Sequence, residues 1–175
     1  MRRSWARFAV AILAAGLVSR GAAAQAAAIP PVVGFDAGVT FNVGSGGYTQ
    51  VSVPSQRIRA AFAMSDRVAF EPAASLSIFR GDDITVTTYD ADFGLLFRGS
   101  SDSTRSRPYL RPSAGIVGFS SDRTKSSRFA FGIGVGIEVP ADSRLALRYE
   151  ASIRRQAGSE LNIVGFSLGL SFKTR

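Results

Sequence analysis

Asp90 and Asp92 stand two residues apart, and Arg148 and Glu150 repeat that spacing. On an extended strand, residues i and i+2 share a face. The two aspartates could therefore share a proton or hold a hard cation such as Ca²⁺. Opposing arginines are the simpler partners, because a buried carboxylate is tolerated when it is paired. Arg148 and Glu150 read the same way, as members of an ion-pair network. The chain has no histidine and no cysteine. That removes the side chain best suited to proton transfer near neutral pH, and with it the usual nitrogen and sulfur metal ligands. No catalytic residue, no metal site and no cofactor is expected.

Three further motifs invite functional readings that their context does not support. Gly132-x-Gly134-x-Gly136 hints at nucleotide binding, but no helix follows it to receive a phosphate. Gly44 to Gly47 could cradle an anion, and a loop breaking two strands is the plainer account. Arg80-Gly81-Asp82 matches an adhesion tripeptide, a triplet short enough to arise by chance.

The first residues read as an export signal. Arg2, Arg3 and Arg7 precede an apolar run from Phe8 to Val18, and Ala22-Ala23-Ala24 forms a small-residue cleavage site. The run is shorter than the roughly 20 residues a membrane-spanning helix needs. The expected organisation is a signal peptide over 1–24, a short segment over 25–32 and one domain over 33–175. Losing Arg2, Arg3, Arg7 and Arg20 lowers the formal charge from +8 to +4. The remaining basic residues are scattered, so nucleic acid is not an expected partner. An exported chain without cysteine must be held by packing or by a membrane.

Elements that could position the charged residues emerge as eight alternating stretches, near 33–43, 51–63, 68–79, 84–97, 109–119, 128–139, 144–155 and 161–172. A period of two marks β-strands. Phe129, Phe131, Ile133, Val135, Ile137 and Val139 alternate with Ala130, Gly132, Gly134, Gly136 and Glu138. Phe166, Leu168, Leu170 and Phe172 alternate with Gly165, Ser167, Gly169 and Ser171. One face is bulky and apolar. The other carries small residues and eleven charges: Asp36, Arg57, Arg59, Glu71, Asp90, Asp92, Arg111, Glu138, Arg148, Glu150 and Arg154.

Which face is inside decides the class of protein. With the apolar face inward, the chain would be a secreted, soluble, lipocalin-like barrel for a ligand. It would then display bare glycine rows to water, which weakens strands without return. With the apolar face outward, lipid covers it, and glycines leave room in a narrow lumen for paired ions. Closure also satisfies every backbone group in the bilayer. The expected fold is therefore all-β, an eight-stranded antiparallel up-and-down transmembrane barrel. Phe35, Phe41, Tyr89, Phe97, Tyr109 and Tyr149 are candidates for aromatic girdles.

Three segments carry a family resemblance. They are Met64-Ser65-Asp66-Arg67-Val68-Ala69-Phe70-Glu71-Pro72, Val139-Pro140-Ala141-Asp142-Ser143-Arg144-Leu145-Ala146-Leu147-Arg148-Tyr149-Glu150-Ala151 and Gly165 to Phe172. The chain resembles the small outer-membrane β-barrel family, similar to OmpA-type and opacity-type barrels, over Val33 to Phe172. It departs from that pattern where Lys173-Thr174-Arg175 follows the last aromatic residue. The resemblance implies an outer-membrane location, lipid as the surrounding partner and the barrel-assembly machinery as a partner during insertion. A monomer is expected. Enzymes of similar size in that membrane generally use a histidine, which this chain lacks. The expected role is structural or surface-interactive, with a lumen plugged by side chains. The alternative is a narrow porin-like channel lined by Arg57, Arg59, Asp90, Asp92, Arg148 and Glu150.

Overall fold

The alternation closes on itself. In the computed structural model, eight antiparallel strands pair in sequence order, and β1 pairs with β8 to complete a barrel. The strands are β1 (Val32–Val43), β2 (Thr49–Ala63), β3 (Val68–Arg80), β4 (Thr85–Arg98), β5 (Arg107–Ser121), β6 (Lys125–Pro140), β7 (Leu145–Gln156) and β8 (Asn162–Lys173). The structure describes residues 30–43, 49–80, 85–100, 102, 104–121, 124–159 and 162–174. The export signal, the glycine loop at 44–47 and Gly81-Asp82 of the tripeptide lie outside the described residues. No helix among the described residues is long and apolar enough to cross a membrane. Strands of 12 to 16 residues, tilted by about 40°, cover an apolar layer about 25 Å tall.

Both ends of the described chain lie at one rim, with Val32 paired to Lys173. At that rim, Met64–Arg67 and 141–144 form two turns of the same geometry. Met64 N and Ser65 N donate to Val68 O at 2.9 and 3.0 Å, and Ala141 N and Asp142 N donate to Leu145 O at 2.9 and 3.1 Å. A side chain seals each one. Ser65 Oγ accepts from Val68 N at 3.1 Å, and Asp142 Oδ1 accepts from Arg144 N and Leu145 N at 2.6 and 2.7 Å. Those two bonds hold the exposed Asp142 carboxyl below the usual carboxylate range.

Prolines interrupt the ladders where an N–H is missing. The β2–β3 register passes from Arg59↔Ala73 to Phe62↔Phe70, skipping Pro72, and β4–β5 skips Pro112 between Gly94↔Ser113 and Phe97↔Leu110.

The apolar side chains face outward. Phe131, Ile133, Val135, Ile153, Phe166, Leu168 and Leu170 are all exposed, while Arg59, Glu71 and Arg148 are buried. A water-soluble monomer does not expose a continuous belt of this kind, so the soluble lipocalin-like alternative has the faces reversed. The interior also holds a small apolar knot of Ala61, Ala69, Leu96 and Tyr109, with Val32 packed against it. Leu96 is fully enclosed. Tyr109 corrects the girdle assignment. Its position in the alternation, two residues before Arg111, turns it into the lumen rather than toward lipid. Phe35, Phe97 and Tyr149 do face outward.

Candidate functional site

Alternation aims the charged side chains at one another across the lumen. Ten of them form one connected network, five arginines and five carboxylates, drawn from β1, β2, β3, β4, β5 and β7. Its centre is a closed ring of alternating sign. Glu71 Oε1 faces Arg111 Nε at 2.7 Å, and Arg111 Nη2 donates to Asp92 Oδ1 at 2.5 Å. Asp92 accepts from Arg57 Nη2 on both oxygens at 2.9 Å, and Arg57 Nη1 reaches Glu150 Oε1 at 3.6 Å. Glu150 pairs with Arg148, whose Nη1 returns to Glu71 Oε2 at 2.5 Å.

Branches leave this ring in both directions. Arg59 lies 3.7 Å from Glu71, binds Asp36 through Nε at 2.9 Å and donates from Nη2 to Ser171 Oγ at 2.7 Å. Arg154 lies 3.6 Å from Asp92 and pairs with Asp90. The Tyr109 hydroxyl accepts from Arg148 Nε at 2.6 Å and donates to Glu150 Oε2 at 2.9 Å. The same ring lies under the Arg148 guanidinium, 4.4 Å from its carbon, in cation–π geometry.

The contacts differ in kind. Arg111 Nε and Glu71 Oε1 are close but too oblique for a hydrogen bond, so that contact is Coulombic. Arg57 Nη2 donates to both oxygens of Asp92, so that contact is directional as well as charged. With five charges of each sign, the network is neutral as a whole. That balance is what makes eight buried and two half-buried ions tolerable in one lumen.

Glycine makes room for the guanidinium groups. A methyl built on Gly94 would sit 2.7 Å from Arg111 Nε, and one on Gly134 would sit 3.0 Å from Glu150 Cδ. β6 places Gly132, Gly134 and Gly136 on the lumen face, so Arg154, Glu150 and Tyr109 of the neighbouring strands occupy space that its side chains would otherwise fill. The Gly-x-Gly-x-Gly row is thus packing geometry inside a strand, with no helix after it.

Of the eleven charged residues singled out from sequence, ten join this network and the eleventh, Glu138, lies apart. Glu138 accepts from Arg98 Nε at 3.0 Å and Arg107 Nη2 at 2.9 Å, near the rim that holds the chain ends. Sequence reasoning missed both arginines because it placed them in the connection between β4 and β5. The signal was present: Arg98 continues the inward series Asp90, Asp92, Gly94 and Leu96, and Arg107 precedes Tyr109 and Arg111 by the same step. Asp90 and Asp92 do not face a shared empty space, since guanidinium groups stand against both. Among the described residues, no group of three potential ligands is arranged for a metal ion.

Solved structures share this architecture. Neisserial surface protein A matches with a TM-score of 0.68 and 16% identity, over 82% of this chain and 97% of that one. Ail, the attachment invasion locus protein of Yersinia pestis, matches with a TM-score of 0.55 and 11% identity, over 83% and 99%. The N-terminal β-barrel domain of Pseudomonas aeruginosa OprF matches with a TM-score of 0.50 and 13% identity, over 81% and 97%. No curated protein matches the chain. A family model described as the outer membrane protein beta-barrel domain matches residues 10–173. With an apolar belt facing outward, a neutral ion network inside and a family match over nearly its whole length, the chain belongs to the outer membrane protein beta-barrel domain family and resides in the outer membrane.

Proposed function

We propose that the protein is a non-catalytic outer-membrane barrel with a side-chain-plugged lumen, acting as a structural element or through surface interactions. The observation that carries this reading is the closed ring Glu71–Arg111–Asp92–Arg57–Glu150–Arg148. Six side chains from five strands meet across the lumen, and an ion crossing at that level would have to separate paired opposite charges. The same pairing leaves Asp90, Asp92 and Glu150 engaged with arginine rather than poised as bases. Surface action is favoured by two proteins that share the fold, a Neisserial surface protein and an attachment invasion locus protein. On this reading the loops between β1–β2, β3–β4, β5–β6 and β7–β8 carry recognition, because they lie opposite the rim of the chain ends, away from the periplasm. The protein works as a monomer surrounded by outer-membrane lipid, after insertion by the barrel-assembly machinery.

Planar-bilayer recording of the pure refolded protein tests the plug. A quiet bilayer is expected, and steady single-channel steps would replace this reading with the narrow-channel alternative. Lipid analysis of a deletion strain against its parent tests the absence of catalysis, and an altered lipid species restored by the intact gene would refute it.

A further inference from the structure

The outward face is not evenly covered. β5 presents the short residues Pro112 and Ala114 to lipid, between Phe70 and Phe93 on one side and Phe131 and Ile133 on the other. The result is an almost wholly apolar groove of about 770 Å³. It runs diagonally, one registered step per strand, through Phe93↔Ala114, Ala114↔Phe131, Phe131↔Arg155 and Arg155↔Asn162. Phe93 lies deep in β4, whereas Arg155 and Asn162 stand at the loop end of β7 and β8. The groove therefore climbs from mid-membrane to the rim opposite the chain ends, which is the outer leaflet.

Arg155 interrupts the apolar face of β7, where Tyr149 and Ile153 point to lipid in the same phase. It is exposed and forms no hydrogen bond or ion pair with another described residue. A second, more polar hollow begins at Arg155 and continues over Gln156, Ala157, Gly158 and Ser159. An apolar groove and a shelf bearing Gln156 and Ser159 thus meet at Arg155, a cation with no partner among the described residues. That is the shape and charge of a lipid whose acyl chain lies in the groove and whose anionic head lies on the shelf.

We infer that this outward groove is a binding site for a phosphorylated outer-leaflet glycolipid of the lipid A type, with an acyl chain along Pro112 and Ala114 and a phosphate on Arg155. Inside a bilayer an acyl chain gains almost nothing by moving from other chains to an apolar wall. Preference over bulk lipid must come from the charge-assisted phosphate contact and from the fit of the groove. A phosphate monoester, with between one and two negative charges, suits a lone arginine better than a zwitterionic head. The inference rests on membrane residence and not on the lumen being closed.

Native mass spectrometry of the full chain in mild detergent, titrated with lipid A, dephosphorylated lipid A and phosphatidylethanolamine, tests it. One lipid A per barrel is expected, with the dephosphorylated form and phosphatidylethanolamine weaker by about tenfold. Arg155→Gln should remove the preference for phosphate, and Ala114→Phe should abolish retention by filling the groove. Both side chains point away from the lumen network, and the gel-mobility shift between unheated and heated samples verifies folding. If Ala114→Phe does not fold, Arg155→Gln at the rim decides alone. Equal retention of the dephosphorylated lipid, an unchanged preference in Arg155→Gln, or many copies bound regardless of substitution would each overturn the proposal.

Discussion

Arg148 offers the sharpest test of the lumen network. It is 1% exposed, holds Glu71 at 2.5 Å, pairs with Glu150 and stacks on Tyr109. Replacing it with methionine keeps much of the volume and removes the charge. Glu71 then retains Arg111 at 2.7 Å and Arg59 at 3.7 Å, while Glu150 retains Arg57 at 3.6 Å and the Tyr109 hydroxyl at 2.9 Å. Neither acid is orphaned, yet the connected network now holds five acids against four bases. Two unit charges 4 Å apart interact by about 4 kcal/mol at an effective dielectric of 20. Arg148 loses two such contacts but is also relieved of its own desolvation, so the expected cost is about 3–5 kcal/mol, as for other buried pairs broken from one side. Removing Glu150 as well, in Arg148→Met/Glu150→Gln, restores four against four. Arg57 keeps both oxygens of Asp92 at 2.9 Å. The double variant should therefore be more stable than the single one by about 2 kcal/mol. Urea unfolding in detergent micelles, followed by far-UV circular dichroism and by gel mobility, measures both. A single variant within about 1 kcal/mol of the parent, or a double variant no better than the single, would refute the view that charge balance holds the network together.

Other substitutions probe the packing around that network in the same unfolding assay. Gly94→Ala should destabilise by about 1–3 kcal/mol, because its methyl would meet an Arg111 side chain pinned by Glu71 and Asp92. Leu96→Ala should cost about 2–5 kcal/mol, since Leu96 is fully enclosed. Leu95→Ala, one residue away and facing lipid, should cost clearly less, and equal losses would mean the faces are misassigned. Asp142 has its carboxyl held low by the Arg144 and Leu145 amides. Its stabilising effect is therefore present above the ordinary carboxylate range and fades as pH falls through its lowered folded value. Asp142→Asn should flatten that acid-side loss, and identical pH profiles for parent and variant would remove the turn from the account.

Periodicity alone was enough to establish the class of this fold. Side chains on a strand alternate strictly, so rows such as Phe131-Gly132-Ile133-Gly134 announce a sheet with one bulky face and one nearly empty face. Bare glycine beside matched charges has a rationale inside a narrow lumen and none against water, so the pattern alone carries the orientation. The eleven charged residues were legible for the same reason, since each sits in phase with the small ones. Strand ends were less legible, because alternation fades as polar residues enter both faces. For that reason Arg98 and Arg107 read from sequence as part of a connection, and Tyr109, whose aromatic ring suits an interface as well as a core, reads as a girdle residue.

Partner choice belonged to the tertiary structure. Arg57 meets Asp92 across 35 positions of chain, and Arg148 meets Glu71 across 77. Nothing local encodes those separations. They follow from the tilt and register of a closed sheet, which set residues from distant strands at one height. The outward groove has the same origin, arising only when Pro112 and Ala114 are placed beside Phe93 and Phe131 by strand pairing. A one-dimensional pattern tells which way a side chain points; only closure of the barrel decides what stands in front of it.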